Sequence, residues 1–327
     1  MRRLLRLAGW LLFAGMFLTG ILLSTILLCP LNDIIRNWRS FYSLEPQSVE
    51  TLIVGSSHAY ASFNTDMFQE KTGGTAYILA SNSQNVTQTY FNVLEALKYQ
   101  TPKSILLEAY SINGNDNFRG GETDDKDWKK ESNIDGMRFD RVKLQAVMKQ
   151  YRPENWSYAL LSFARFHSNW KDPGNILENA HFLLGQPDDF SSFRPSRSIM
   201  SEDTMRKYAE AAKRTSEYSE YVVSESNVLH FQKLAELCRE RGILLYVVMA
   251  PMYDVYIDSI NYASWTEKVA GLAEREEVSY LDCNACYNEI GLTAQDFEDA
   301  YNNYHHLNAD GADKVTAFVL EELYENS

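Results

Sequence analysis

Two short segments carry side chains that could act together on an acyl group. The first is Gly55-Ser56-Ser57-His58, directly behind the apolar run at residues 51–54. A glycine permits a tight turn there, and serines where a helix begins present hydroxyls beside backbone N–H groups that lack helical partners. Such N–H groups suit the oxyanion that develops when a hydroxyl attacks an ester. A serine that merely caps the following helix would produce the same letters without any chemistry. The second segment is Tyr304-His305-His306-Leu307-Asn308-Ala309-Asp310-Gly311-Ala312, ahead of the last amphipathic stretch. A serine nucleophile needs a base within hydrogen-bond reach, and a loop histidine at the same sheet edge supplies one.

The two segments meet only if the chain folds so that both lie at one edge of a sheet. From about residue 49 onward, short apolar runs alternate with amphipathic stretches, the pattern of parallel strands joined by crossover helices. The runs fall at 51–54, 75–79, 104–109, 243–249 and 278–281. Between them, Val86, Tyr90, Val93, Leu94 and Leu97 share one helix face. Val228, Phe231, Leu234, Ala235 and Cys238 share another, which Gly242 stops before the fourth strand. Helices are also predicted over 265–275 and 311–324. The prediction is an α/β fold with about five parallel strands. Residues 115–223 break the rhythm with polar and aromatic-rich stretches and no strand, and are expected to form a helical insertion over one edge of the sheet. Ligands of such sheets sit at the carboxyl ends of the strands, where the insertion could serve as a lid or acceptor platform.

Residues 7–29 contain no charge and follow a basic tip, residues 1–6, that holds Arg2, Arg3 and Arg6. About 20 apolar residues cross a bilayer as a helix. Arginines on the short side predict a single-pass signal anchor with the N-terminus cytoplasmic and the body of the chain extracellular. A cleaved signal peptide has a shorter apolar run and a small-residue cleavage site, which Leu27-Leu28-Cys29-Pro30 does not provide. Residues 30–48 then read as a linker and 49–327 as the catalytic domain. With 31 Lys+Arg against 44 Asp+Glu, the formal net charge is −13, and no basic run lies in the body, which excludes a nucleic-acid partner. Cys283 and Cys286 form a lone C-x-x-C with no second pair at ligand spacing, so they read as a disulfide or as buried thiols.

Taken together, the strand–Gly-Ser-Ser-His turn, Ala80-Ser81-Asn82-Ser83-Gln84 behind the second strand, and His306-Leu307-Asn308 with Gly311-Ala312 resemble the SGNH (GDSL-like) hydrolases. The likeness covers about residues 51–323. Within that superfamily it is to the membrane-anchored cell-envelope branch that includes the teichoic-acid D-alanylation and alginate O-acetylation proteins. Residues 165–170, Arg-Phe-His-Ser-Asn-Trp, look like a stretch common in its Firmicute-type members, although Trp170 could equally be core. The resemblance implies a flavodoxin-like three-layer α/β/α domain. It also implies Ser57, not Ser56, as nucleophile and His306 as base. The backbone N–H of Ser81 or Asn82 would join that of Ser57 in an oxyanion hole, with Gln84 in the same block beside the substrate; His58, next to the nucleophile, could contact substrate or equally cap a helix or face solvent. The glycine usual in the second block is absent. The implied activity is that of an esterase or O-acyltransferase acting on an envelope glycan or teichoic-type polymer, with no metal or organic cofactor. The implied partner is a polytopic acyl-exporting membrane protein.

The family places the triad acid three residues before the histidine, and that position is Asn303. An asparagine orients an imidazole through its carbonyl but does not balance the charge of an imidazolium. Taking His305 as base puts Asn302 there instead and recovers no acid. Three arrangements follow: a Ser57/His306 dyad steered by Asn303, a carboxylate such as Asp299 or Asp310 in the acid's place, or a decayed site. In the last case the protein is an accessory that binds glycan or scaffolds a membrane acyltransferase complex. Glu108, at the end of the third strand, reads as a structural hydrogen-bonding group for a neighbouring loop.

Overall fold

The computed structural model describes every residue except 1, 114–132, 162–164, 186–192, 214–220, 258–259, 301–305 and 326–327. The chain begins with helix α1 (Arg2–Leu27), which is long and apolar enough to cross a membrane. At 1.5 Å per residue its 26 residues extend about 39 Å, against a hydrocarbon core of about 30 Å.

Residues 30–48, expected as a linker, instead fold as part of the body. Helix α2 (Asp33–Ser43) is capped by Asn32, whose side-chain oxygen accepts from the Ile35 N–H at 3.0 Å. It buries Ile34, Ile35, Trp38 and Phe41, positions at helical spacing that form an apolar stripe. Its Asn37 amide donates to the Ile78 carbonyl at 3.0 Å, and the Tyr77 hydroxyl donates back to the Asn37 carbonyl at 2.7 Å. Ile78 and Tyr77 belong to an edge strand, so α2 covers backbone that would otherwise be open to pairing.

The sheet contains β1 (Thr51–Gly55), β2 (Ala76–Ala80), β3 (Ser104–Glu108), β4 (Leu244–Met249) and β5 (Ser279–Asp282). All neighbours are parallel and the order is β2-β1-β3-β4-β5, the flavodoxin-like arrangement. Alternate side chains supply two cores. Leu52, Val54, Ile105, Leu107, Val247 and Met249 pack on one face; Ile53, Leu106, Tyr246 and Val248 pack on the other. Helices α3 (Ser57–Ser62) and α4 (Thr65–Thr72) connect β1 to β2, and α5 (Val86–Ala96) connects β2 to β3.

The insertion after β3 is helical in its described part, with α6 (Arg141–Gln150), α7 (Pro173–Leu183) and α8 (Glu202–Ala212). Helix α6 packs on α5, while the Met200 N–H reaches the Phe297 carbonyl at 2.9 Å, near the end of the chain. The insertion is thus pinned both to the α5 layer and to the loop that precedes the last helix. Beyond it come α9 (Glu225–Arg241), stopped by Gly242 at φ 66°, then α10 (Tyr262–Arg275) and α11 (Ala309–Leu320). Cys283 and Cys286 are free thiols.

The order of the strands reverses between β1, whose connection runs to β2, and β3, which lies on its other side. The crevice in which such sheets bind ligands therefore opens beyond Gly55 and Glu108. The Ser-Ser-His turn and the end of β3 meet there.

Candidate active site

The turn after β1 divides its two serines between two tasks. Ser56 is the N-cap of α3: its Oγ accepts from the His58 N–H at 3.2 Å and donates to Glu108 Oε2 at 2.9 Å. Ser57, the first residue of the helix, is left with its Oγ 2.9 Å from His306 Nε2. Gly55 makes this division possible, because it sits at φ +146° and a Cβ there would lie 2.8 Å from the Glu108 Cβ. Gly55→Ala is expected to destabilise the fold by about 1–3 kcal/mol through strain and collision. The midpoint of thermal unfolding measures this.

His306 is held from the opposite side. Leu307 forms an antiparallel bridge with Phe297, and the Glu298 N–H donates to the His306 carbonyl at 3.0 Å. Asn308 caps α11 by accepting from the Gly311 N–H at 3.1 Å, while its own amide donates to the Gln295 carbonyl at 2.6 Å. A Cβ at Gly311 would collide with the Asp296 carbonyl, so glycine lets the helix begin this close to the bridge. The bridge folds the chain back on itself and brings Glu298 Oε1 to 3.1 Å from His306 Nδ1. Both side chains are almost buried, at 10% and 12% exposure. Ser57, His306 and Glu298 thereby line up as hydroxyl, imidazole and carboxylate.

Of the sequence-derived acid candidates, Asn303 lies outside the described residues, as do Asn302 and His305. Asp299 is engaged elsewhere, and among the described residues no bond from Asp310 to His306 is found. Asp299 Oδ1 accepts from the Ser201 N–H and Oγ and from Thr204 Oγ1, at 3.1, 2.8 and 2.6 Å, and so ties down the start of α8. Those hydrogen bonds hold its carboxyl below the usual range. Asp310 is exposed in the first turn of α11. Glu298 was missed because it stands eight positions before His306 and reaches it only through the Phe297–Leu307 bridge. An apolar residue within Asp296-Phe297-Glu298-Asp299 was the only sequence signal of that pairing.

The segment after β2 faces the same crevice. The Ser81 N–H makes a long contact of 3.5 Å with the Gly55 carbonyl, and half-buried Asn82 follows it. Tyr60 donates to Asn82 Oδ1. Gln84 is held inside the fold. Its Nε2 donates to Thr89 Oγ1 at 2.8 Å, and its Oε1 accepts from Asn92 and Asn133 at 3.0 and 2.6 Å. It is buried, and with Asn133, which also bonds Ser81 Oγ, it forms a polar network that fixes the Ser81 turn to the insertion. Gln84 thus uses its Oε1 and one of its two Nε2 N–H groups within the fold.

His58 is buried rather than solvent-facing. Its ring stacks on Tyr110 with centroids 4.0 Å apart and meets His306 edge-on at 5.0 Å. Tyr60 stacks on Phe193 of the insertion at 4.5 Å, giving the crevice an aromatic wall that sequence patterning did not reveal.

Glu108 is fully buried beneath the turn. Besides Ser56 it accepts from the Tyr110 N–H at 2.7 Å, as expected for a carboxylate that ties loops together. Burial pushes its carboxyl up to about 8, against the lowering effect of the Tyr110 and Ser56 hydrogen bonds. An acid whose folded value is raised contributes stability that is full below its ordinary value of 4.5 and is lost as pH rises towards about 8. Glu108→Gln carries no ionisable group. The stability of this variant relative to the parent chain is therefore expected to climb between about pH 5 and 8, by an amount on the order of a few kcal/mol. Unfolding midpoints across that range measure the trend, and a constant difference would contradict it.

The site is thus a hydroxyl–imidazole–carboxylate line at the switch point of a flavodoxin-like sheet, on a chain with an apolar N-terminal helix able to cross a membrane. No protein-family model matches the chain, and no curated protein matches it significantly.

Proposed function

We propose that this chain is a membrane-anchored serine acyl-handling enzyme of SGNH-like type, either an esterase or an O-acyltransferase. The observation that carries the reading is the line from Ser57 Oγ through both ring nitrogens of His306 to Glu298, with spacings of 2.9 and 3.1 Å. His306 Nε2 takes the Ser57 proton as Oγ adds to the acyl carbonyl. Glu298 stabilises the imidazolium so formed. The oxyanion faces the backbone N–H of Ser57 and that of Ser81 or Asn82; the long 3.5 Å contact of the Ser81 N–H with the Gly55 carbonyl favours Asn82. His306 then returns the proton to the departing alcohol, leaving Ser57 acylated, and water or a polymer hydroxyl accepts the acyl group by the reverse steps.

The basic tip and the apolar helix support an extracellular body with a cytoplasmic N-terminus. An envelope glycan or teichoic-type polymer is the acceptor within reach of such a tether. A polytopic acyl-exporting protein would supply the donor. The reading as a non-catalytic accessory drew on an amide in the acid's place; the carboxylate 3.1 Å from His306 Nδ1 supports the catalytic reading over it.

The test is hydrolysis of p-nitrophenyl acetate by the full chain in detergent, with and without a soluble glycan acceptor. Release of nitrophenolate that depends on Ser57, with acetyl transferred when acceptor is present, is the expected result. A folded chain that releases none would contradict the proposal.

A further inference from the structure

Helix α7 buries Asn179 and leaves leucines exposed, unlike a surface helix of a water-soluble protein, whose apolar stripe faces the core. Along α7 and the residue that follows it, Leu177, Leu183 and Leu184 are exposed at 57%, 40% and 79%. The opposite arc holds Asn175 and Asn179 and turns inward, while Glu178 and His181 stay exposed. Asn179 is buried, and Glu178 pairs with Arg36 at 2.7 Å.

What the polar arc grips is the end of α1. Asn179 donates to the carbonyls of Leu27 and Cys29 at 3.0 and 2.9 Å, Asn175 donates to that of Cys29 at 3.1 Å, and Asn169 donates to that of Leu28 at 3.0 Å. These carbonyls have no helical partner of their own at a C-terminus. Contact between the two helices extends down the side of α1. Ile21 and residues 24–28 are partly covered, whereas Leu22 and Leu23 remain exposed. If a span begins near Leu7, about 20 residues bring the outer edge of the hydrocarbon to the last turns of α1, the level at which α7 lies. Trp170, 65% exposed and not core, stands next to Asn169 with the Lys171 ammonium 5.7 Å from its ring centroid. Tryptophan and lysine are the usual residues of the membrane–water boundary.

We propose that α7, with Trp170, is a second membrane contact, its leucine arc set into the headgroup–acyl boundary of the bilayer that α1 crosses. The occupant of the exposed face is lipid, because the face is continuous with the membrane-spanning surface of α1. Two points of contact fix the tilt of the domain and hence the height of the Ser57 crevice above the membrane, which a single tethering helix would leave free.

The test uses the full chain in phosphatidylcholine–phosphatidylglycerol nanodiscs. Nitroxide labels are placed at Leu177→Cys or Leu184→Cys in a Cys286→Ser background, and collision with oxygen is compared with collision with a water-soluble nickel chelate. Phe17→Cys on α1 serves as the hydrocarbon standard, and Leu229→Cys on α9, exposed at 45%, as the water standard. Labels at 177 and 184 are expected to favour oxygen and to meet the chelate several-fold less often than the label at 229. Chelate access equal to that at 229 would overturn the proposal. So would spin–spin broadening that disappears on dilution with unlabelled chain, because it would make the face a contact between copies. Neither readout depends on Ser57 chemistry, so failure here is distinct from failure of the proposed activity.

Discussion

Ser57→Ala is expected to lower ester hydrolysis by the full chain by about 10⁴–10⁶-fold, and His306→Ala by a comparable factor, with the double variant little worse than either. The three results belong together because hydroxyl and imidazole, 2.9 Å apart, act as one device. A serine hydroxyl is a poor nucleophile without a base, and a base beside a methyl group has no proton to take. The fold tolerates the serine change, because the capping of α3 and the bond to Glu108 belong to Ser56. Loss of activity with an unchanged unfolding midpoint therefore reports chemistry. Near-parental turnover in either single variant would place the nucleophile elsewhere.

The second large effect is expected at Glu298. Glu298→Gln should reduce kcat by about 10³–10⁴-fold while leaving KM nearly unchanged, since the lost interaction is made mainly when the imidazole becomes charged. The carboxylate accepts from His306 Nδ1 at 3.1 Å and leaves Nε2 free to receive the Ser57 proton. A glutamine amide can present its NH₂ to Nδ1 and select the wrong tautomer. Glu298→Asp keeps the charge but withdraws it by one methylene, so an intermediate loss is expected. Asp310→Asn, on the exposed first turn of α11, should stay within a few-fold of the parent chain. Steady-state kinetics on the nitrophenyl ester distinguish the four proteins, and equal rates for Glu298→Gln and the parent would refute the assignment.

Much of the architecture could be read from patterning because buried parallel strands are nearly continuous apolar runs. The five strands begin and end within about one residue of the runs that announced them. Helix α2 escaped notice for a physical reason: its polar residues Asn37 and Arg39 are buried and bonded rather than solvated, which makes the segment look like a polar spacer beside an apolar anchor. Trp170 was weighed as core because aromatic residues usually are, and it is exposed. At the site, Ser57 and His306 came from local motifs, each carried on a short segment. Glu298 depended on a two-residue bridge that no periodicity encodes. The work of Glu108 and Gln84 depended on contacts across 52 and 49 positions, to Ser56 and Asn133.

The central claim is that Ser57 is an activated nucleophile, and covalent capture tests it most directly. The full chain in detergent is treated with a fluorophosphonate, digested, and the modified peptide sequenced by mass spectrometry. The account predicts one adduct on Ser57, formed readily by the parent chain and slowed by several orders of magnitude in His306→Ala. A folded parent chain that takes up no probe, or takes it up on Ser56 or another serine, would contradict it.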